Sequence, residues 1–247
     1  MSKDSRLAVL IDADNVSDKY IKYILDEVSN DGTATYKRIY GDFTRPELAS
    51  WKAVLLENSI TPIQQYGYTT GKNATDSAMI IDAMDILYSG NVDGFCIVSS
   101  DSDFTRLASR LRESGMYVLG MGEKKTPTAF IAACNKFKFL EILKQAAVTD
   151  TPSPAPTTSQ NADTEQMTPL KTVRNAILTI INETSDEDEW ISIAEIGNRL
   201  NKRYPDFDVR NYGFRKLTPF IKSLNSVEVR STPSSDGNNR LVSVRLK

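Results

Sequence analysis

Hydrophobic positions in residues 1–147 alternate between two patterns. Short runs rich in β-branched and aromatic residues predict strands, and the segments between them, whose apolar positions recur every three or four residues, predict helices. The predicted strands are residues 7–11, 34–40, 60–66, 95–99 and 117–121, and the predicted helices are residues 19–29, 46–58, 75–88 and 104–114. Residues 127–143 predict another helix and an edge strand. Strands that alternate with helices form a parallel sheet with helices on both faces, so the predicted fold class is α/β.

The pattern changes abruptly after residue 147. Residues 148–167 are rich in Pro, Ser and Thr and contain no aromatic residue, so they bury too little apolar surface to order themselves. We interpret them as a flexible linker between one domain at residues 1–147 and a second at residues 168–247. Both lengths lie within the range of independently folding domains.

The second domain has the outline of a winged helix-turn-helix. Its apolar pattern predicts three helices, at residues 169–182, 194–204 and 212–220, and then two strands, at residues 227–231 and 241–246. The turn between the strands contains the Asp, Gly and Asn residues that tight hairpins require. Three short helices followed by a hairpin predict a small α+β domain.

Composition excludes several kinds of chemistry and location. The 247-residue chain contains no histidine, which rules out imidazole acid–base catalysis, histidine-dependent triads and His-containing zinc sites. Its two cysteines, Cys96 and Cys134, lie in apolar runs and are too few for a four-thiolate zinc site. The longest apolar runs fall far short of the roughly 18 residues that span a bilayer, and the first residues form no secretory signal. We therefore expect a cytoplasmic protein without a membrane partner.

Acidic residues follow two of the predicted strands at their carboxyl ends. Asp12 comes directly after the first strand, and Asp101 and Asp103 follow the fourth. Because ligands of open α/β sheets bind at this edge, where the strand order reverses, these carboxylates converge if strands one and four are neighbours. Asp76, near the start of the third helix, can approach the same point. Crowded carboxylates repel one another unless a divalent cation neutralises them or some of them become protonated, and oxygen ligands indicate Mg²⁺ or Mn²⁺.

Some of these polar residues also have purely structural explanations. Asn15 and Asp103 occupy positions where a side chain caps a following helix or shapes its turn, and Asp76 lies where a helix dipole favours an acid. Asp82 and Asp85, further along the same helix, are interpreted as solvated or rim charges. Asp12 is the strongest candidate for a functional role, because nothing structural requires an acid directly after four aliphatic strand residues.

A carboxylate-held divalent ion is typical of phosphoryl chemistry, in which the ion orients a water and stabilises charge on the phosphate. Lys72, Lys124 and Lys125 lie near the same edge of the predicted sheet and are candidates for contacts with the backbone phosphates of a nucleic acid. The alternative is that these lysines are solvated loop residues.

Three blocks of the first domain resemble the signature blocks of NYN domains, the PIN-like ribonuclease branch that includes the LabA group. The blocks are Leu10 to Asn15, Lys72 to Asp76, and Ser99 to Phe104, in the family's order and spacing. The resemblance implies a parallel sheet with helices on both faces and metal-dependent RNA cleavage. It also implies that Asp12, Asp76, Asp101 and Asp103 bind the metal, with Asn15 and Ser99 assisting at the site.

A haloacid-dehalogenase phosphatase is the enzymatic alternative. Asp12, Asp14 and Val16 satisfy the short first motif of that class, in which Asp12 is the nucleophile. That class also has a hairpin flap soon after the motif and a lysine followed by a later acidic pair. Here the chain continues into a predicted helix, and the lysines after the fifth strand precede no acidic pair.

The second domain resembles an OST-HTH/LOTUS domain through Asp206-Phe207-Asp208, the run from Tyr212 to Leu217 and the closing hairpin. The resemblance implies binding of RNA, with guanine-rich RNA suspected in the family, or docking of a protein partner. Basic residues on or near the third predicted helix are candidates for phosphate contacts, namely Arg210, Arg215, Lys216 and Lys222. The aromatic residues are predicted to form the core rather than a base-stacking platform, namely Trp190, Phe207, Tyr212, Phe214 and Phe220.

The two domains together predict a divalent-metal-dependent endoribonuclease that hydrolyses RNA and holds its substrate with a tethered C-terminal module. Without histidine, hydrolysis by a metal-activated water that leaves a 5′-phosphate is the simplest expectation. The alternative is a non-catalytic RNA-binding or regulatory adaptor, because a complete set of acids shows a capacity for catalysis and not turnover.

Overall fold

The computed structural model describes residues 5–66, 74–148, 167–184, 190–233 and 240–247. The chain divides into two compact units, Met1–Ser153 and Pro154–Lys247, and the division falls within the predicted linker. Most of that linker lies outside the described residues. Among the described helices, none is long and apolar enough to cross a membrane.

Six parallel strands form the sheet of the first unit, in the order β3-β2-β1-β4-β5-β6. Their bounds are β1 Arg6–Asp12, β2 Thr33–Gly41, β3 Thr61–Gln64, β4 Gly94–Val98, β5 Tyr117–Gly122 and β6 Lys136–Phe139. The predicted α/β class is confirmed, and β6 is the edge strand expected within residues 127–143. β1 and β4 are neighbours, as the convergence of the acidic residues requires, and the strand order reverses between them.

Helices connect these strands. Their bounds are α1 Ile21–Asp31, α2 Trp51–Glu57, α3 Ala74–Ser89, α4 Thr105–Glu113, α5 Thr128–Ala133 and α6 Leu140–Val148. The helix predicted at residues 46–58 is interrupted, because a 3-10 turn at Pro46–Leu48 precedes α2. α1 packs against α6, α4 packs against α5, and α3 lies against β1 and β2.

The core of the first unit is centred on β1 and β4. Every side chain from Leu7 to Ile11 is fully buried, and so is every one from Phe95 to Val98. Strands buried on both faces have continuous apolar sequences rather than alternating ones, which explains why these two runs were predictable. Cys96 and Cys134 are buried free thiols within this unit.

The second unit combines three helices with a three-stranded antiparallel sheet, in the order β7-β9-β8. Its elements are α7 Leu170–Thr184, β7 Ile191–Ser192, α8 Ile193–Arg203, α9 Leu217–Ser223, β8 Val227–Pro233 and β9 Arg240–Leu246. The predicted small α+β domain is confirmed. Four of the five aromatic residues predicted for its core lie there: Phe207 and Phe220 are buried, and Tyr212 and Phe214 pack against them.

The third helix of this unit is shorter than the sequence pattern predicts. Residues Val209–Tyr212 form a 3-10 turn that is capped by the Asp208 side chain. Gly213 then adopts a left-handed conformation with φ of 80°, which ends that turn. The α-helix begins only at Leu217, so the first half of the helix predicted at residues 212–220 is wrong, because local turn chemistry overrides the apolar period.

Candidate metal centre

Asp12 ends β1 and is fully buried. Its carboxylate accepts hydrogen bonds from the Ser99 hydroxyl at 2.7 Å, the Asn15 side-chain amide at 2.8 Å and the Asp14 backbone N–H at 3.1 Å. Burial raises the pKa of Asp12, and the hydrogen bonds from Ser99 and Asn15 partly oppose that rise. The Asn15 side chain therefore donates to Asp12 and does not cap a helix. Ser17 caps the 3-10 turn that follows.

Ser99 joins the carboxyl ends of the two central strands. It follows β4 directly, and its own N–H donates to the Met121 carbonyl at 2.9 Å. Its hydroxyl donates to Asp12 and accepts the Asp101 backbone N–H at 3.0 Å. A single buried hydroxyl thus connects the acid at the end of β1 to the acidic loop after β4.

Three carboxylates come together beside this connection. Asp76, Asp101 and Asp103 each offer an oxygen, and these oxygens lie within 4.8 Å of one another. Asp101 caps the 3-10 turn at Ser102–Phe104 by accepting the Asp103 backbone N–H at 2.9 Å, so both acids have positions fixed by that turn. Asp103 lies within this 3-10 turn, and the residue directly before α4 is Phe104. Asp76 comes from the first turn of α3.

The crowding of carboxylates affects the pKa of Asp76. Its pKa is raised to about 6, first by burial and then by the charges of Asp12, Asp101, Asp103 and Asp14. A carboxylate whose charged form is disfavoured by its neighbours is stabilised by a divalent cation placed among them. The donor set consists of hard carboxylate oxygens, which suits Mg²⁺ or Mn²⁺.

Asp12 lies outside the described group of three whose oxygens share this 4.8 Å neighbourhood. The expectation from the sequence is that Asp12, Asp101 and Asp103 bind the metal and that Asp76 completes the site or orients the attacking water. The geometry groups Asp76 with the two acids after β4, and Asp12 is connected to Asp101 through Ser99. The charge of Asp12 also acts on Asp76. All six predicted site residues therefore belong to one neighbourhood, and their individual roles stay predictions.

Sequence reasoning missed the contacts that hold α3 in place. Asp82, interpreted as a solvated charge, forms an ion pair with Arg38 and accepts a hydrogen bond from the Tyr40 hydroxyl. Both partners lie on β2, and Tyr40 is fully buried and pairs in register with Asp12. The solvated interpretation of Asp82 is wrong. The available signal was the two-residue spacing of Arg38 and Tyr40, which places both side chains on one face of a strand.

The lysines predicted to meet phosphate have different surroundings. Lys72 lies outside the described residues. Lys124 and Lys125 are exposed, and the ammonium of Lys125 lies 2.9 Å from a Glu123 carboxylate oxygen. A cleft of about 350 Å³ opens beside the site, and its lining includes Asn15, Lys125 and the acids Asp14, Asp18, Glu47 and Glu123. A cationic side chain therefore reaches the same cleft as one of the site residues.

The basic residues predicted for the second unit also differ among themselves. The Arg210 guanidinium is held by both carboxylate oxygens of Asp208, at 2.7 to 3.1 Å. Arg215, Lys216 and Lys222 have exposed positions on or just before α9. Arg210 is thus committed to a local ion pair, and the other three remain candidates for phosphate contacts.

Comparison with known proteins gives matches to two family models. A model described as NYN domain matches residues 6–141, more than half of the chain, and one described as OST-HTH/LOTUS domain matches residues 168–238. No curated protein matches the chain.

Two solved structures resemble parts of the chain. A protein of unknown function from Vibrio parahaemolyticus is 18% identical with a TM-score of 0.44, and the match covers 56% of this chain and 93% of that one. An uncharacterized protein from Nitrosomonas europaea is 29% identical with a TM-score of 0.29, and the match covers 40% of this chain and 90% of that one. Neither likeness carries an argument about function.

Proposed function

Because the chain belongs to the NYN-domain family and carries an OST-HTH/LOTUS domain after its NYN domain, we propose that it is a divalent-metal-dependent endoribonuclease with a C-terminal RNA-binding module. The two domain types in this order indicate an RNA-related nuclease or binding protein. The metal dependence, the catalytic activity and the roles of individual residues are the parts that we propose.

The observation that carries the proposal is the group of three carboxylates at the edge where the strand order reverses. Asp76, Asp101 and Asp103 would hold Mg²⁺ or Mn²⁺, since their oxygens lie within 4.8 Å of one another. The pKa of Asp76 is raised first by burial and then by the charges of its neighbours. When bound, such an ion neutralises charge on a phosphodiester and activates water for its hydrolysis. We expect products that carry a 5′-phosphate.

The surrounding residues would position this group. Ser99 and Asn15 donate to Asp12 and keep its buried carboxylate in one orientation, while Ser99 also fixes the backbone of Asp101. Lys125 lines the cleft beside the site and would exchange its ion pair with Glu123 for a backbone phosphate of the RNA. Each of these residues acts by binding or orientation.

The phosphatase alternative has less support. A nucleophilic aspartate must reach the phosphorus atom, whereas Asp12 is fully buried and its carboxylate accepts three hydrogen bonds. After β1 the chain continues through a 3-10 turn at Asp18–Tyr20 into α1, without the hairpin flap of that class.

A cleavage assay with matched variants tests the proposal. Labelled single-stranded and structured RNAs are incubated with Mn²⁺ or Mg²⁺ and the wild type, Asp12→Asn, Asp101→Asn or Asp85→Asn. Asp85 is an exposed acid on α3, so its variant has the same change of charge away from the site. We expect cleavage by the wild type and Asp85→Asn, and a loss of about 100-fold in the other two.

The outcomes separate the alternatives. Cleavage that Asp12→Asn and Asp101→Asn leave intact would come from another site or a contaminant and would reject the proposal. If all four proteins bind RNA and none cuts it, the chain is a non-catalytic adaptor. A phosphorylated aspartate trapped at Asp12 would favour the phosphatase.

A further inference from the structure

One aromatic residue of the second unit does not join its core. The sequence pattern predicts Trp190, which directly precedes β7, to be a core residue, but it is partly exposed and is absent from the buried cluster of this unit. Two guanidiniums lie against its ring instead. The Cζ of Arg230 is 4.4 Å from the ring centroid, and that of Arg245 is 4.9 Å away.

The strand register explains how these residues meet. On β8 and β9, the buried Val227 and Val244 face the core. Side chains an odd number of positions away on the same strand point to the opposite face of the sheet. Arg230 on β8 and Arg245 on β9 therefore share the outer face. β9 lies between β7 and β8, so Trp190, at the start of β7, lies beside the same face.

The two arginines differ in what their N–H groups can still bind. Arg245 also forms an ion pair with Glu228, with nitrogen–oxygen distances of 2.8 Å. Arg230 pairs with no carboxylate in the part of the chain that the structure describes. A guanidinium stacked on an indole uses its planar face and keeps its edge donors available, and the stacking restricts its rotamers before a ligand arrives.

We propose that the outer face formed by Trp190, Arg230 and Arg245, here called the Trp190 platform, is the surface of this unit that binds single-stranded RNA. Guanidinium edges would contact phosphates, and the planar groups would stack with bases. The choice of RNA as the ligand rests on the proposed function. An acidic peptide would match the charge of the platform, but single-stranded RNA matches both its charge and its planar groups.

This platform is distinct from the surface predicted from the sequence. The residues predicted there lie on or before α9, where Arg210 is committed to Asp208. Four acidic residues, Asp186 to Glu189, precede Trp190 in the sequence. They lower the net positive charge of this unit, so we expect modest affinity that falls steeply with salt.

Binding is tested with the full chain carrying Asp12→Asn, so that cleavage does not consume the RNA. Fluorescence anisotropy of a labelled single-stranded RNA is measured over a range of salt concentrations. The variants are Arg230→Gln, Arg230→Lys and Trp190→Leu. The control is Arg240→Gln. It removes an exposed arginine of β9 that lies an odd number of positions from Arg245 and so belongs to the other face of the strand.

The expected results depend on planarity as well as charge. Arg230→Gln and Trp190→Leu should each weaken binding about tenfold, and Arg230→Gln should reduce the salt slope by about 0.7 for each phosphate that it no longer neutralises. Arg230→Lys keeps the charge but should recover only part of the affinity, because an ammonium does not present a planar fork. Arg240→Gln should stay within about twofold of its parent, and circular dichroism checks that each variant is folded.

Three results would reject the platform as the RNA-binding surface. In the first, the platform variants bind RNA like their parent while Lys216→Gln or Lys222→Gln loses affinity. In the second, the protein does not bind RNA at low salt, and in the third, polyglutamate competes more strongly than unlabelled RNA. Cleavage is assayed separately on the wild type. If the wild type cleaves RNA in an Asp12-dependent way and the platform variants bind RNA like their parent, the platform is rejected and the nuclease is not. If the platform variants lose binding and the wild type does not cleave, the nuclease is rejected and the platform is not.

Discussion

At the scale of single residues, Ser99 connects the parts of the candidate site. Its hydroxyl satisfies the buried Asp12 carboxylate and the Asp101 backbone at the same time. Because the hydrogen bond from Ser99 opposes the rise in the pKa of Asp12, loss of the hydroxyl would favour the neutral acid. It would also release the loop that carries Asp101 and Asp103.

We predict that Ser99→Ala weakens Mn²⁺ binding about tenfold and lowers the free energy of unfolding by about 1–3 kcal/mol. Ser100→Ala is the matched control, since its buried hydroxyl accepts the Glu123 N–H at 2.8 Å and does not contact the acids that we propose as ligands. Titration with Mn²⁺ and denaturant unfolding measure the two effects. Equal metal affinities in the two variants would show that Ser99 acts only in folding.

The convergence of acidic residues at this edge of the sheet could be predicted, and the distances between them could not. An acid after an aliphatic strand is visible in the sequence, as Asp12 illustrates. Which acids approach one another most closely depends on the turn that Asp101 caps and on the approach of α3. Those features result from packing between distant segments, so only the structure identifies Asp76, Asp101 and Asp103 as the group whose oxygens lie within 4.8 Å of one another.

At the scale of elements, the position of α3 decides whether Asp76 reaches the other two carboxylates. Asp82 ties this helix to β2 through Arg38 and Tyr40. Tyr40 pairs in register with Asp12. The same region of the sheet therefore carries Asp12 and the tyrosine that holds α3, the helix on which Asp76 lies.

We predict that Tyr40→Phe, which removes one hydroxyl, lowers the free energy of unfolding by about 1 kcal/mol and weakens Mn²⁺ binding by about threefold to tenfold. Asp82→Asn should have a larger effect, because it also leaves the partly buried Arg38 guanidinium without its counter-charge. Both affinities are measured under conditions where the variants are fully folded. Asp85→Asn, on the same helix but exposed, should bind like the wild type, and a similar loss there would indicate a general effect of charge.

The elements that the sequence predicted best are those buried on both faces. β1 and β4 are continuous apolar runs because no side chain on them meets solvent between Leu7 and Ile11 or between Phe95 and Val98. The third helix of the second unit was predicted to begin too early, because Asp208 caps the start of the 3-10 turn at Val209–Tyr212 and Gly213 ends that turn. Such capping acts through a few atoms. Apolar periodicity does not detect interactions of that kind.

At the scale of the whole molecule, the two units have separate cores. Ile24 is fully buried in the first unit and Ile177 in the second, and the buried clusters around them share no described residue. Metal binding and RNA binding are therefore expected to depend on different parts of the chain.

We predict that Ile177→Ala destabilises the second unit by about 2–5 kcal/mol and leaves Mn²⁺ affinity unchanged, because its cavity lies in a core that does not support the acids. Ile24→Ala, an equally buried substitution in the other core, should lower the unfolding temperature of the first unit instead. Differential scanning calorimetry with and without Mn²⁺ distinguishes the two transitions. A shift of both transitions by either variant would mean that the units unfold as one.

Anomalous diffraction from crystals soaked in Mn²⁺ shows whether Asp76, Asp101 and Asp103 together hold a divalent ion. We expect an anomalous peak coordinated by carboxylate oxygens of these three residues, and no peak at this position in Asp101→Asn crystals. A fully soaked crystal with no peak among them, or with its ordered manganese elsewhere in the first unit, would show that these acids are not the metal site.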